Sequence, residues 1–250
     1  MFTALYTAKS GMTVQQTNID LHSHNLSNVS TTGYRAEEHR LRAVQVQSKN
    51  MPAALPTRAF AVDASTHTDF SSGPLQYTGR TLDVAVKGKG WIALSLPDGT
   101  EAYTRNGSLE LSVNGVLQTR NGIPVLGDGG PISVPPDNRI AVGEFGTVSV
   151  VPETGAQNTV NALGRIKLVN PPEGSLVRGA DGLFRTADGA PAVLDEKVRV
   201  AGGYLEGSNV SPVEQMVSMI SLARQFEAQM KVLTTADAND KAATQVINAR

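Results

Sequence analysis

The chain offers few groups with which to do chemistry. Its four histidines are the natural candidates for metal binding or proton transfer. His22 and His24 are two residues apart, so on a helix they point to different sides, whereas a helical metal pair needs a spacing of three or four. His39 and His67 have no neighbouring set of Asp, Glu or His ligands. With no cysteine there is no disulfide, no thiol nucleophile and no Cys-ligated zinc. Neither G-x-S-x-G nor H-E-x-x-H occurs, and the single carboxylates Asp63, Asp69 and Asp83 have no acid–base partner in sequence. The expectation is a protein without catalytic residues, metal or cofactor.

Two glycine-rich segments imitate ligand sites. Val86-Lys87-Gly88-Lys89-Gly90-Trp91 resembles a phosphate loop, but such a loop must open a helix, and Trp91-Ile92-Ala93-Leu94 reads as a strand. A tight hairpin is expected there instead. Gly127-Asp128-Gly129-Gly130 lacks the nonapeptide register of a calcium-binding β-roll, so turn chemistry accounts for its glycines. Asn-x-Ser sequons begin at Asn25, Asn28, Asn106 and Asn209 and matter only in a glycosylating pathway. Trp91, Tyr103 and Tyr77 could stack on sugars, which keeps a carbohydrate-binding β domain with helical oligomerisation ends as a rival reading. The competing role for strand aromatics is core packing.

The elements that would position these residues differ along the chain. Leu5, Met12, Ile19 and Leu26 recur every seven residues, with Ala8 and Val29 at the companion spacing and Gln15 and His22 interrupting. The spacing predicts a helix over about 3–31, ending at Thr31-Thr32-Gly33, where β-branched residues precede a glycine suited to a left-handed position. Its other face is Thr, Gln, Asn, Asp and Ser, so it needs a partner. At the far end Ser211-Pro212-Val213-Glu214 combines a cap, a proline at the first helical position and a capping-box Glu. Met216, Ile220, Ala223, Phe226, Met230 and Leu233 then follow at three- and four-residue steps, and weaker repetition through Ala236, Ala243, Val246 and Ile247 predicts a helix over 212–248. Neither helix has a neighbour in sequence, so each should pair with the other or with another subunit.

Between about Thr81 and Tyr204 the period falls to two, as in Leu82-Val84-Val86, Ile92-Leu94-Leu96, Val148-Val150, Ile166-Leu168 and Val198-Val200. Asn-Gly or Asp-Gly occurs seven times, beginning at 98, 106, 114, 121, 128, 181 and 188, and favours the positive φ of tight hairpins. The first five are spaced as in a β-meander, and no helical pattern intervenes, which argues against a βαβ sheet. The expected class is α+β. A discontinuous, coiled-coil-like helical domain forms from 1–33 and 209–250, and a central all-β domain of short hairpin strands covers 82–208. Residues 34–81, with a charged stretch at Arg35–Arg40 and loop-like segments at Met51–Pro56 and Ser71–Pro74, read as an extended connection.

The chain has 250 residues with 22 Lys and Arg against 23 Asp and Glu, a net charge of -1. That gives no electrostatic reason to expect nucleic acid or an anionic membrane. No run of about 18 apolar residues predicts membrane insertion, and the first residues lack the pattern of a cleaved signal.

The ends carry longer motifs. His24-Asn25-Leu26-Ser27-Asn28-Val29-Ser30-Thr31-Thr32-Gly33-Tyr34-Arg35 resembles the N-terminal signature of bacterial flagellar axial proteins, the rod and hook family, with Ser27 in place of the usual Ala. Leu205-Glu206-Gly207-Ser208-Asn209-Val210, Val213–Met216 and Ala223–Glu227 resemble the paired C-terminal signature. Gly79–Val86, Tyr103-Thr104-Arg105-Asn106-Gly107, Gly115–Thr119 and Gly122–Gly127 match in the middle, in order. Gly164–Val169 with Asp181–Arg185 resembles the proximal-rod branch, the distal-rod branch being the close alternative. The resemblance implies a structural subunit of the basal-body rod with no enzymatic activity, no cofactor and no nucleic-acid partner. Its partners would be copies of itself, other rod proteins and the flagellar export apparatus. It further implies a periplasmic location in the basal body, export without a cleaved signal peptide, and torque transmission. The assembly residues expected are Leu5, Met12, Ile19, Leu26, Met216, Ile220, Phe226, Met230 and Leu233. The motif residues are Asn25, Leu26, Asn28, Thr32, Gly33, Tyr34, Leu205, Glu206, Ser208 and Asn209.

Overall fold

A computed structural model describes residues 2–45, 59–135, 138–152 and 161–248. The loop-like Met51–Pro56 lies outside them. The chain divides into two compact units: Met1–Val29, Ala36–Asp69 and Val210–Arg250 form one, Ser30–Arg35 and Phe70–Asn209 the other.

The first unit contains helix α1 (Phe2–Ser27), helix α2 (Pro212–Asn248) and strands β1 (Glu37–Gln45) and β2 (Ala59–Thr68). The Ser211 hydroxyl accepts the Glu214 N–H at 3.5 Å, and the Ser211 carbonyl accepts the Gln215 N–H at 3.1 Å, so α2 starts where its capping residues predict. Helix α1 stops at Ser27, four residues short of the expected end. Asn28 and Val29 close its last turn onto the Asn25 and Leu26 carbonyls. Strands β1 and β2 pair antiparallel from Glu37↔Thr68 to Gln45↔Ala59, with a bulge at Arg40/Leu41. The segment expected as an extended connection, 34–81, therefore carries strands of both units. Its β1 is too charged to show a clean alternation, and its pairing is long-range, which local periodicity cannot reveal.

Among the described residues the second unit is all β apart from one 3₁₀ turn, Glu173–Ser175. Its strands are β3 (Leu75–Tyr77), β4 (Val84–Lys87), β5 (Trp91–Ser95), β6 (Glu101–Thr104), β7 (Leu109–Leu111), β8 (Leu117–Thr119), β9 (Leu126–Gly127), β10 (Gly130–Pro131), β11 (Asn138–Val142), β12 (Thr147–Pro152), β13 (Asn161–Arg165), β14 (Leu168–Val169), β15 (Leu176–Arg178), β16 (Phe184–Thr186), β17 (Arg199–Gly202) and β18 (Tyr204–Glu206). The largest sheet has the order β14-β5-β6-β16-β15, the next β11-β12-β13, and two-stranded ribbons complete the unit. Every named pairing is antiparallel.

Strand β5 shows how alternation becomes packing. Ile92 and Leu94 enter a large aliphatic core with Val84, Val86, Leu109, Leu117, Val148, Ile166 and Leu168. Trp91 and Ala93 enter a second cluster with Tyr103, Val169 and Phe184 on the opposite face. Both faces of the strand are buried, and Trp91 and Phe184 meet with ring centroids 4.7 Å apart.

Not every expected hairpin turn joins two paired strands; Asp188-Gly189 follows β16, and the next strand, β17, lies in another sheet. Gly88 and Gly90 have positive φ, but β4 pairs with β17 while β5 pairs with β6 and β14. The Lys87–Gly90 turn is thus a corner between sheets, not a hairpin. Gly90 suits it because a Cβ there would lie 2.6 Å from Val198. Asn106-Gly107 likewise joins β6 to β7, which lie in different sheets. The turns at 98–99, 114–115, 128–129 and 181–182 do close paired strands.

Candidate functional site: the paired chain ends and the clasp

In the first unit α1 and α2 run antiparallel. Gly11 lies against the Gln229 amide, where a Cβ would sit 3.5 Å from Nε2. The Gln15 Nε2–H donates to Gln225 Oε1 at 3.3 Å, and the His22 Nδ1–H to Gln215 Oε1 at 2.6 Å. The residues that interrupted the apolar heptad in sequence are thus the ones that meet the partner helix.

The nine expected assembly residues divide. Met12, Ile19 and Leu26 on α1, and Phe226 and Leu233 on α2, are half-buried. Met216, Ile220 and Met230 are exposed, at 52%, 55% and 40%, with Val213, Val217 and Val232 beside them. Leu5 lies in α1, and its side chain is outside the described residues, as are those of Ala243, Val246 and Ile247. Among the described residues the buried positions of α1 are Gln15, Leu21 and Asn25. Helix α2 therefore carries two stripes on opposing faces. Gln215, Met219, Leu222, Phe226, Gln229 and Leu233 are half-buried positions along one. Val213, Met216, Val217 and Ile220 form an apolar row facing outward along its first turns, and Met230 is exposed further on.

Asn25 explains part of the N-terminal motif. Its Nδ2–H donates to the Glu37 carbonyl at 2.8 Å and its Oδ1 accepts the Glu37 N–H at 3.0 Å, so one side chain satisfies both backbone groups where β1 begins. Asn28 Nδ2–H donates to the His24 carbonyl at 2.9 Å. His24 and Glu37 approach to 3.9 Å. A groove of about 580 Å³ opens among His22, Asn25, Glu37, Gln215, Val217 and Leu222. Among the described residues no three metal-ligating side chains cluster, and no helix is long and apolar enough to cross a membrane.

The remaining motif residues meet in the second unit, where its first and last segments are clasped together. The Glu206 carboxylate lies between two guanidinium groups, accepting from Arg35 at 2.6 Å on Oε1 and from Arg105 at 3.0 Å on Oε2, all three side chains buried. Oε1 also accepts the Gly73 N–H at 3.0 Å, and the Glu206 carbonyl accepts the Gly33 N–H at 2.8 Å. Arg105 donates to the Gly88 carbonyl at 2.7 Å and lies 5.2 Å above the Trp91 ring. Its burial pushes the guanidinium pKa down, while Glu206 opposes that shift. Two cations surround one anion, and the Arg35 Nε and Nη1 groups are buried without a hydrogen-bond acceptor. Charges placed this way depend on their counter-ion.

Around the clasp the backbone approaches too closely for side chains. Gly33 has φ +70°, and a Cβ on it would lie 2.4 Å from Arg105 C and Asn106 N. A Cβ on Gly73 would reach the Gly207 carbonyl at 2.1 Å. Thr32 donates to Asn106 Oδ1 at 2.9 Å, and Asn106 Oδ1 also accepts the Ser108 N–H at 3.1 Å. Tyr34 is buried with Arg178 4.5 Å over its ring. Leu205 sits in β18, Ser208 is buried, and Asn209 Nδ2–H donates to the Ser71 carbonyl at 3.2 Å.

The stacking aromatics separate in a way that removes the carbohydrate reading's platform. Trp91 and Tyr103 are core residues, at 4% and 0% exposure, and only Tyr77 of the three is exposed, beside Tyr204 with ring centroids 5.1 Å apart. The Tyr103 hydroxyl accepts the Ala192 N–H at 2.7 Å, and burial pushes its pKa up to about 12.

Known proteins match the same parts of the chain. The model of the flagella basal body rod protein family matches residues 5–35, that of the flagellar hook protein FlgE/F/G D1 domain residues 85–150, and that of the flagellar basal body rod FlgEFG protein C-terminal region residues 201–246. The flagellar basal-body rod protein FlgF of Salmonella typhimurium is 41% identical over 98% of both chains, and that of Escherichia coli 39% over the same share. The flagellar basal-body rod protein FlgG of Borreliella burgdorferi is 35% identical over 95% of this chain and 96% of its own. With the N-terminal and C-terminal motifs joined through Glu206, and with relatives this similar along nearly the whole chain, the protein belongs to the family of flagellar basal-body rod proteins.

Proposed function

We propose that the chain is a structural subunit of the proximal part of the bacterial flagellar rod, built into it through its paired terminal helices. The observation that carries this reading is the outward row Val213, Met216, Val217 and Ile220 on α2. A helix pair that leaves such a row uncovered has apolar surface to bury against a neighbouring subunit. The half-buried row of the same helix is occupied by α1, so α2 can hold one partner within the chain and one outside it. A heterologous contact of that kind propagates along an axis. Copies of this chain and other rod proteins are the partners, and torque is carried through their contacts. Family membership supports delivery by the flagellar export apparatus to a periplasmic rod and a role without catalysis. Assignment to the proximal part rests on the two relatives named FlgF at 41% and 39% identity, against 35% for the FlgG relative.

Ile220→Asp tests the reading. It places a charge on an exposed position, so the purified chain keeps its circular dichroism and unfolding midpoint while cells lose rod incorporation and swimming. Normal swimming with this variant at normal abundance overturns the proposal.

A further inference from the structure

The interface between α1 and α2 sets polar contacts among its half-buried apolar residues. Its hydrogen-bonded contacts are amide and imidazole groups, whereas the apolar row of α2 faces outward. Gly11 and Gln15 are one turn apart on α1, and Gln229 and Gln225 one turn apart on α2, so the two pairs face each other as a ladder. Gln225 Nε2–H in turn donates to Ser221 Oγ at 3.5 Å. His22 and Gln215 repeat the polar contact about two turns further on, at 2.6 Å. Gln15 Oε1 and Gln229 Oε1 are buried without a donor, a cost that an apolar pair would avoid.

Polar layers between helices, here a buried Gln15 with Gln225 at its solvent edge, trade stability for a single register, because a shifted pairing takes the buried amide away from its partner. We propose that Gln15 and Gln225 form the register-determining layer of the terminal helix pair, selecting the antiparallel alignment in which 11 faces 229 and 15 faces 225. A slip of one heptad would place Gln15 opposite Val232 in one direction, which has no polar side-chain group, and opposite Ser218 in the other, whose hydroxyl is shorter than the Gln225 amide it would replace. The seven-residue apolar repeat of α1 does not by itself distinguish one heptad alignment from the next. The inference rests on the reading of the paired ends as the assembly site and deepens it, since a fixed register sets where the outward row lies.

The absence of cysteine makes the alignment directly measurable on the full-length chain. The double variant Gly11→Cys/Gln229→Cys reports the observed register, and Gly11→Cys/Ala236→Cys reports a one-heptad slip. Under mild oxidation the first pair should cross-link, and the second should do so at a yield at least roughly tenfold lower, a register preference of the size one polar layer provides. Adding Gln15→Leu and Gln225→Leu should bring the two yields to within about twofold while raising the helix unfolding midpoint. Gln15→Lys with Gln225→Glu should restore the single register. Retention of one register in the Leu/Leu background, or failure of the 11/229 pair to cross-link in the parent, overturns the inference. Rod incorporation of the parent chain is a separate measurement, so the assembly reading stands or falls independently.

Discussion

The Glu206 carboxylate holds Arg35 at 2.6 Å across 171 positions of sequence, and neither side chain is exposed to water. Glu206→Gln keeps the shape and removes the charge, leaving Arg35 and Arg105 buried together without an anion. The expected cost is about 3–5 kcal/mol, read as a lowered urea midpoint by circular dichroism of the β-rich unit. Replacing all three residues with Met or Leu of similar volume should cost far less, because it removes the desolvated charges with their counter-ion.

Glycine substitutions should divide by what a Cβ would meet. Gly33→Ala and Gly107→Ala place a Cβ 2.4 Å and 1.6 Å from backbone atoms that cannot turn away, and each should cost more than about 2 kcal/mol. Gly122→Ala has nothing within 4 Å and carries only the strain of its positive φ, about 1 kcal/mol. Thermal unfolding of the three variants side by side checks the order.

Asn25→Asp should be worse than its size suggests. It keeps the acceptor for the Glu37 N–H and loses the donor to the Glu37 carbonyl, bringing a carboxylate against that oxygen instead. A loss of about 1–3 kcal/mol is expected, and hydrogen exchange should show the Glu37 amide opening before the Tyr103 amide.

Alkaline pH should destabilise the β-rich unit through Tyr103. Its pKa rises from 10.0 to about 12 because burial disfavours the phenolate. The neutral form is favoured in the folded state, so this contribution is complete below pH 10 and is lost as pH climbs toward 12. About 2 kcal/mol of stability should disappear across that window. Tyr103→Phe should flatten the pH dependence while lowering stability at neutral pH, because the Ala192 N–H loses its acceptor. Urea titrations at stepped pH, with phenolate absorbance followed in parallel, test both.

How much of this was legible depends on the range of each signal. Helix α2 could be read to the residue at its start because Ser211, Pro212 and Glu214 act within one turn. The alternation of Ile92 and Leu94 also showed itself locally, though not that both faces of the strand are buried. The pairing of β1 with β2 was hidden because it joins residues as distant as Glu37 and Thr68. Arg35, Arg105 and Glu206 each stood inside a quoted motif, yet no spacing rule brings them together; only the fold does. Gln15 and His22 were visible as flaws in a heptad, and the flaw proved to be where the partner helix makes contact.

The placement of Trp91 gives the chain a reporter of its own. It is the only tryptophan among 250 residues, and Arg105 reaches the Glu206 carboxylate while lying over its indole ring. Light emitted from this one side chain therefore registers whether the clasp is closed. Opening the clasp frees a cation from the ring face, and the change can be followed in an unlabelled protein at high dilution or during refolding.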